Sequence, residues 1–418
     1  MAMTLRDDFR TPLIEKLIGV LSRVVVDNNF FLKSDAFYEL DELQEKLEKK
    51  PVGKLGQEYV SDSPLIDYFF ESLSEEFQRA RKYELNTPTM SLTDIEEYKD
   101  PASLAERLVA EFESLPREYK LFIKLPVYGL PDLLGTERVV LADTLSLIRV
   151  TEEVESTFPP PIYEPRRPLK IFQFSQPRDE TLPWQNHYTY CEITSQGFIG
   201  IYEDTSPIKR AGFLVRAFCG FALALQLFEI LFPSSAEDAY LRVYESSGDN
   251  WTAKKPRRLS TELVHGLERL RLHESYKGLA GAVKPRPLQS LNVLKRLFSK
   301  EKENERLLRA AQWYFDSYCG DNELLSFIKA TICLEIILGD KKVTDIIGIM
   351  ELLRNRCAYL IGGSHEEREQ ILNDFNEIYS TRSKIVHSGQ NTLTRLERRS
   401  LFKLRRLCAR VIRKEISL

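Results

Sequence analysis

Cysteine and histidine are scarce in this chain: six and five residues of 418. The cysteines are Cys191, Cys219, Cys319, Cys333, Cys357 and Cys408, scattered through apolar contexts with no C-x-x-C pair. That excludes a disulfide framework or a zinc ribbon and predicts buried free thiols in a reducing compartment. His187, His265, His273 and His365 each stand apart from any partner motif. No G-x-S-x-G, P-loop, G-x-G-x-x-G or H-E-x-x-H occurs, so the usual signatures of serine hydrolases, P-loop nucleotidases, dinucleotide enzymes and zincins are missing. No grouping of His, Cys or carboxylates has metal-ligand spacing, and no cofactor is called for.

Long apolar runs are missing too. The most apolar stretch, residues 211–232, is interrupted by Arg216, Gln226 and Glu229, and its longest uninterrupted apolar run falls well short of the ~20 residues a membrane span needs. It predicts a buried helix closed by Pro233. The N-terminus, MAMTLRDDFR, has no apolar core of a secretory signal, so a cytoplasmic protein without membrane association is expected.

What the chain has is an ordinary globular composition, 43% hydrophobic, and a length that suits two or three domains. The net charge is only −3, but it is unevenly spread. The first hundred residues lean acidic (Asp41, Glu42, Glu45, Glu48, Glu75, Glu76, Glu96, Glu97) and the last forty are strongly basic. Such asymmetry points to nucleic acid better than net charge does.

Periodicity divides the chain into three stretches and predicts an α+β protein, mostly α. Residues 1–118 read as a helical N-terminal region, with Thr93 and Asp94 as caps before IEEY and Pro101 in the first turn of the next helix. Residues 119–280 read as a β-containing middle domain that includes the apolar helix 211–232. Its strands are placed at YKLFIKL, RVVLADTLSLIRV, LKIFQFSQ, HYTYCEITSQ and GFIGIYED, with a Pro-rich loop at 157–168. Its aromatics, Trp184, Tyr188, Tyr190, Phe198 and Tyr202, have no interleaved basic residues, which favours sheet packing over base stacking. SSGDNW and KKPRRLS read as loops, STELVHGLERLRLHES as a helix capped by Ser260 or Thr261, and KPRPLQ as a hinge or linker. Residues 304–418 read as five amphipathic helices. Gly320, Gly339, Gly362 with Gly363, and Gly389 end the first four, which predicts a compact antiparallel bundle.

The fourth of these helices carries Arg382 and His387 in YSTRSKIVHSG, an Arg-x4-His spacing. Upstream lie ELLSFIKATICLEIILGD, an apolar helix with an embedded Leu-Glu, and NRCAYLIG. In this order, the three stretches resemble the Apea-like branch of the HEPN ribonuclease family, whose segments run Arg-x-Ala-x-Leu-Leu and Tyr-x-x-Arg-Ser-x-x-Val-His-Gly. The resemblance covers the C-terminal part only. It implies a HEPN-type bundle, endoribonuclease activity with Arg382 and His387 as the catalytic pair, a two-fold homodimer through the bundle, and antiphage defence by abortive infection with a phage-derived trigger. Ser383, Glu335 and Tyr379 are the supporting residues. Ser383 stands where many members carry Asn, Asp or His and is a poor proton carrier.

The pair suits RNA. RNA carries its own nucleophile, the 2′-OH, beside each scissile phosphate. A histidine can move a proton at the attacking or leaving oxygen, and an arginine can hold the phosphate as charge builds. Positions five apart point ~140° away from each other on a regular helix, so the two side chains share no face unless the helix distorts near Gly389 or two protomers share a cleft. Bland roles compete: Arg382 paired with Glu377 or Asp374, His387 as a helix-terminal charge, and Glu335 as a partner of Arg354 or Arg356. In the last helix, Leu393, Leu396, Leu404, Leu407, Val411 and Ile412 form a predicted buried stripe. The opposite face is densely positive, and Arg398, Arg399, Arg405 and Arg406 are candidate RNA contacts. A salt-bridged contact with the acidic N-terminal region is the competing explanation. The alternative function is a non-catalytic HEPN module that binds RNA or a nucleotide.

Overall fold

The computed structural model describes residues 3–27, 31–80, 89–163, 180–202, 204–231, 239–276, 285–339, 349–387 and 389–417. The fold is α+β and mostly α, as the sequence predicts: among the described residues, 59% are helix against 16% strand. Two compact units interleave along the chain. The first takes Met1–Tyr119, Ser195–Ala211 and Glu245–Asp249; the second takes Lys120–Thr194, Gly212–Tyr244 and Asn250–Leu418.

In the first unit, helices α1 (Asp7–Leu21), α2 (Asp41–Glu48), α3 (Pro51–Tyr59), α4 (Pro64–Ala80) and α5 (Pro101–Glu113) surround one core, and β1 (Val25–Val26) pairs antiparallel with β2 (Met90–Ser91). Pro101 opens α5, where its missing N–H costs nothing, and the Asp100 carboxylate accepts from the N–H groups of Ala102 and Ser103. The expected caps before IEEY shift: Ser91 caps the short turn Leu92–Asp94, and Asp94 is its reciprocal partner. The Tyr68 ring packs on Phe69, Phe112 and Phe198 at 5.5, 5.1 and 4.7 Å. Glu71 is fully buried, and its carboxylate accepts from the N–H groups of Ile201 and Tyr202 at 2.6 and 2.9 Å. A carboxylate can stay buried when backbone donors satisfy it.

A seven-stranded sheet has the order β11-β10-β3-β8-β5-β4, with β12 paired to β10. The strands are β3 (Arg117–Leu125), β4 (Arg138–Ala142), β5 (Leu145–Arg149), β8 (Thr189–Gly197), β10 (Tyr240–Ser247), β11 (Asn250–Ala253) and β12 (Arg257–Arg258). A two-stranded pair, β6 (Ile162–Tyr163) with β7 (Glu180–Thr181), lies apart from it. In the second unit, Phe122, Ile148, Tyr190 and Tyr244 gather with Phe158 and Trp184 into one aromatic cluster. The buried Arg242 guanidinium lies 4.2 Å over the Trp184 ring and donates to the carbonyls of Leu182 and Pro183. Trp184, Tyr190 and Phe198 are thus core residues, whereas Tyr202 is 41% exposed and stacked on Phe70.

Several expectations for this region change. GFIGIYED is not a strand: its described residues after Gly197 are irregular, with Phe198 and Ile199 buried. SSGDNW is the tip of a β10–β11 hairpin that turns at Gly248, whose φ is +63°. Part of KKPRRLS is β12. LKIFQFSQ lies outside the described residues. The apolar helix is α8 (Ser206–Ala224) and stops short of residue 232. Gln226 takes a φ of +59°, and the N–H groups of Gln226 and Leu227 bond back to the carbonyls of Leu223 and Ala222. This is a Schellman stop, after which β9 (Phe228–Ile230) pairs with β13 (Leu270–Leu272). Among the described residues, no helix is long and apolar enough to cross a membrane. The stretch from Ser260 is α9 (Thr261–Glu268), with the Ser260 hydroxyl accepting from the N–H of Leu263, and then β13. KPRPLQ is neither hinge nor linker: α10 begins at Pro285 and runs to Ser299, and two short helices, α6 (Leu130–Leu134) and α7 (Glu152–Thr157), come earlier in the chain.

The C-terminal helices are α11 (Glu305–Asp316), α12 (Glu323–Leu338), α13 (Ile349–Ile361), α14 (His365–His387) and α15 (Arg395–Ser417). They pack on one another, α15 touching the other four. Gly320 and Gly389 take left-handed conformations, φ +82° and +62°, that a side chain would strain. The buried stripe of α15 is Leu401, Leu404, Leu407, Cys408, Val411, Ile412 and Ile416, preceded by Leu393. Leu396 does not belong to it and is 70% exposed. It sits ~80° around the helix from Leu404, at the edge of the buried arc.

Candidate functional site

Arg382 lies in the last turns of α14, on the side where Ile378, Tyr379 and Thr381 are buried. Its Nη2 is 3.1 Å from Oε1 of Glu335 in α12. The Tyr379 hydroxyl donates to the same oxygen at 3.5 Å, and the Arg382 guanidinium stands 5.9 Å over the Tyr379 ring. Tyr379 in turn stacks on Phe375. Burial, and after it the Glu335 charge, pushes the Tyr379 hydroxyl well above the usual tyrosine range, so it remains a donor. Arg382 Nε is buried without a hydrogen-bond partner, while the side chain as a whole keeps 33% of its surface exposed. The structure therefore brings together three of the predicted residues: Arg382, Glu335 and Tyr379.

The competing pairings do not form. Asp374 and Glu377 both bind Lys403, each at 2.8 Å. Arg354 donates to Asn376, and Arg356 donates to the Leu338 carbonyl. Embedding a carboxylate in the apolar run ICLEIIL is what let the sequence flag Glu335.

His387 is the last residue of α14 and is exposed, as is Ser383. The helix stays helical through His387, so no distortion turns it towards Arg382 within one chain. Just beyond it, a capping box fixes the start of α15. Thr394 caps α15, and Glu397 returns the interaction: its Oε2 accepts from the Thr394 N–H at 2.9 Å, and the Glu397 N–H donates to Thr394 Oγ1. The same carboxylate accepts from Gln390 Nε2 and binds Lys384 at 3.5 Å. The Thr394 N–H above all, with Gln390 and Lys384 added, holds the Glu397 carboxyl down at about 2. The sequence carries a signal for this box in Thr394-x-x-Glu397 ahead of an apolar run.

The candidate RNA contacts divide. Arg399 and Arg406 are exposed. Arg398 is exposed but binds Glu323 at 2.8 Å. Arg405 turns inward: it lies 4.1 Å over the Tyr318 ring and donates to the Ser317 carbonyl. The acidic partners of α15 named here, Glu323, Glu367, Asp374 and Glu377, all belong to its own bundle rather than the N-terminal region. A cavity of about 500 Å³ in the bundle is lined by Ile337, Leu352, Arg356 and Tyr359, among others, and by neither Arg382 nor His387. Compared with protein-family models, curated proteins and solved structures, the chain matches none of them.

Proposed function

We propose that the chain is an endoribonuclease of the HEPN type, in which Arg382 holds the scissile phosphate and His387 moves the proton at the 2′-oxygen or the leaving 5′-oxygen. The observation that carries this reading is the seating of Arg382. An arginine whose only task is packing would be matched by a carboxylate and covered. This one is oriented by Glu335 and Tyr379 and still open to solvent over a third of its surface. A planar fork presented in this way can accept a phosphate with its remaining donors.

Arg382 and His387 diverge on one regular helix, so the active species is a homodimer through the C-terminal bundle, with the α14 ends of two protomers meeting across a two-fold axis. The resemblance of YSTRSKIVHSG to the Apea-like stretch supports a role in antiphage defence, where a phage-derived trigger releases the activity. Cleavage through the 2′-OH runs without a metal and leaves a 2′,3′-cyclic phosphate or its 3′-phosphate product.

The test is direct. Purified protein is incubated with total RNA, with and without excess EDTA, beside a folded His387→Ala protein. Cleavage that survives EDTA and disappears in the variant is the expected result. Fragments ending in 3′-OH that need added Mg²⁺ would overturn the chemistry. RNA binding without cleavage under every condition would leave a non-catalytic binding module.

A further inference from the structure

Helix α15 has three kinds of surface. Around Leu404 it is buried. One flank carries Arg398 and Arg405, which are taken up by Glu323 and by Ser317 with Tyr318. The other flank carries Lys403 and Arg410, which are taken up by Asp374, Glu377 and Glu367. Between the flanks, opposite the core, runs a ridge of Arg395, Arg399, Phe402, Arg406, Ala409 and Arg413, each three or four residues after the last and so in line along the helix.

The charges of this ridge are all of one sign, although Arg406 also feels the carboxylate of Glu367, which Arg410 binds. Arg395, Arg399 and Arg406 are exposed, and among the described residues no carboxylate lies within ion-pair distance of them. Like charges along a helix face destabilise it by a few tenths of a kcal/mol per pair, so such a ridge opposes helix stability. The crowding reaches Arg413, whose guanidinium is held below its ordinary value by burial first and then by Arg410 and Arg406. In the middle of the row stands Phe402, 69% exposed, a large ring that the fold leaves in water.

Cations spaced along a line call for a polyanion, and the lone ring among them calls for a flat apolar partner. We infer that this ridge binds single-stranded RNA, with Phe402 stacking on an unpaired base and Arg395, Arg399 and Arg406 neutralising the phosphates on either side. Stacking platforms flanked by cations are how sequence-tolerant single-strand binding works. Charge complementarity decides among occupants. A second copy of the same face would set arginine against arginine. A bilayer surface needs a broad apolar face, and this one has a single ring. A duplex supplies phosphates but hides its base faces, so Phe402 would gain nothing from it. The inference deepens the proposed function by naming a surface that brings substrate to the bundle.

The experiment separates the two claims by using the full-length His387→Ala protein, which reads binding without cleavage. Its affinity for a fluorescein-labelled, unstructured RNA 12-mer is followed by fluorescence anisotropy across a salt titration. Replacing Phe402 with Ala is expected to weaken binding roughly tenfold with the salt slope unchanged, and Phe402→Trp to restore it. Arg399→Glu with Arg406→Glu is expected to weaken binding further and flatten the slope by about two. Phe402 is exposed, so unchanged circular dichroism and melting are expected of its variants. Equal affinity of Phe402→Ala and its parent overturns the inference, as does the same dependence on Phe402 with blunt duplex RNA. So does Phe402-dependent binding to phosphatidylserine vesicles in the absence of RNA binding. If the ridge variants bind normally while His387 remains essential for cleavage, the ridge assignment falls and the ribonuclease reading stands. If no RNA is ever cleaved but the ridge variants lose binding, the reverse holds.

Discussion

Oε1 of Glu335 is shared between the Arg382 guanidinium at 3.1 Å and the Tyr379 hydroxyl at 3.5 Å, so one carboxylate on α12 fixes both side chains of α14. Arg382 owes its orientation to this contact between helices.

Removing the charge while keeping the shape isolates that role. Glu335→Gln should lower RNA cleavage about tenfold, whereas Arg382→Ala should cost on the order of a hundredfold or more, the scale for loss of a donor to developing charge. Initial rates on a defined RNA at saturating substrate measure both. Full activity in Glu335→Gln would mean that Arg382 needs no orienting partner.

Mixing inactive proteins probes assembly. Arg382→Ala and His387→Ala proteins, combined under conditions where protomers exchange, should recover part of the activity if each cleft takes one arginine and one histidine from different chains. If each cleft uses all four residues, mixing restores little. An active protein that remains monomeric by light scattering at its working concentration defeats the shared cleft.

The Glu397 carboxylate gives an acid-side prediction. Its folded pKa of about 2 lies below the usual carboxylate value, so it stabilises the fold above that ordinary value. The contribution is lost as pH falls from the mid-fours towards 2. Thr394→Ala should cost about 1 kcal/mol at neutral pH. Denaturant melts at pH 7 and pH 3 should show the gap between wild type and Glu397→Gln narrowing in acid. A gap that stays constant would remove the Glu397 charge from the account.

Gly220 in α8 has no room for a side chain. A Cβ there would come 1.9 Å from the Ala311 carbonyl oxygen of α11. Gly220→Ala should therefore destabilise the protein by about 1–3 kcal/mol, or more if the helices cannot part. Chemical denaturation is the readout, and a neutral effect would show that α8 and α11 shift easily.

Elements governed by local periodicity were legible in the sequence. The C-terminal helices were visible because apolar spacing and glycine stops agree, and Pro101 announced α5. Non-local effects were not. The α8 stop depends on Gln226, a residue with no particular turn preference, entering the left-handed region, and β9 forms because β13, forty residues on, supplies a partner. Pro285 suggested a break but serves as a helix start. At the candidate site, motif and composition singled out Arg382, Glu335 and Tyr379. They could not tell that Asp374 and Glu377 are occupied by Lys403, or that Arg405 points inward, because both depend on which helix packs beside which. Phe402 lies outside the expected buried stripe, and its phase relative to Leu404 puts it on the exposed face.

The interleaving of the chain bears on how the gene can be dissected. A product ending near residue 118 lacks Phe198, which closes the ring stack of Tyr68 and Phe112, and Glu245, which binds Arg117 at 3.3 Å. Its complement starts with the sheet already missing the first residues of β3. Deletion series will therefore report misfolding where they set out to map activity. Point substitutions in the intact chain, or both fragments produced together, are the designs that suit this architecture.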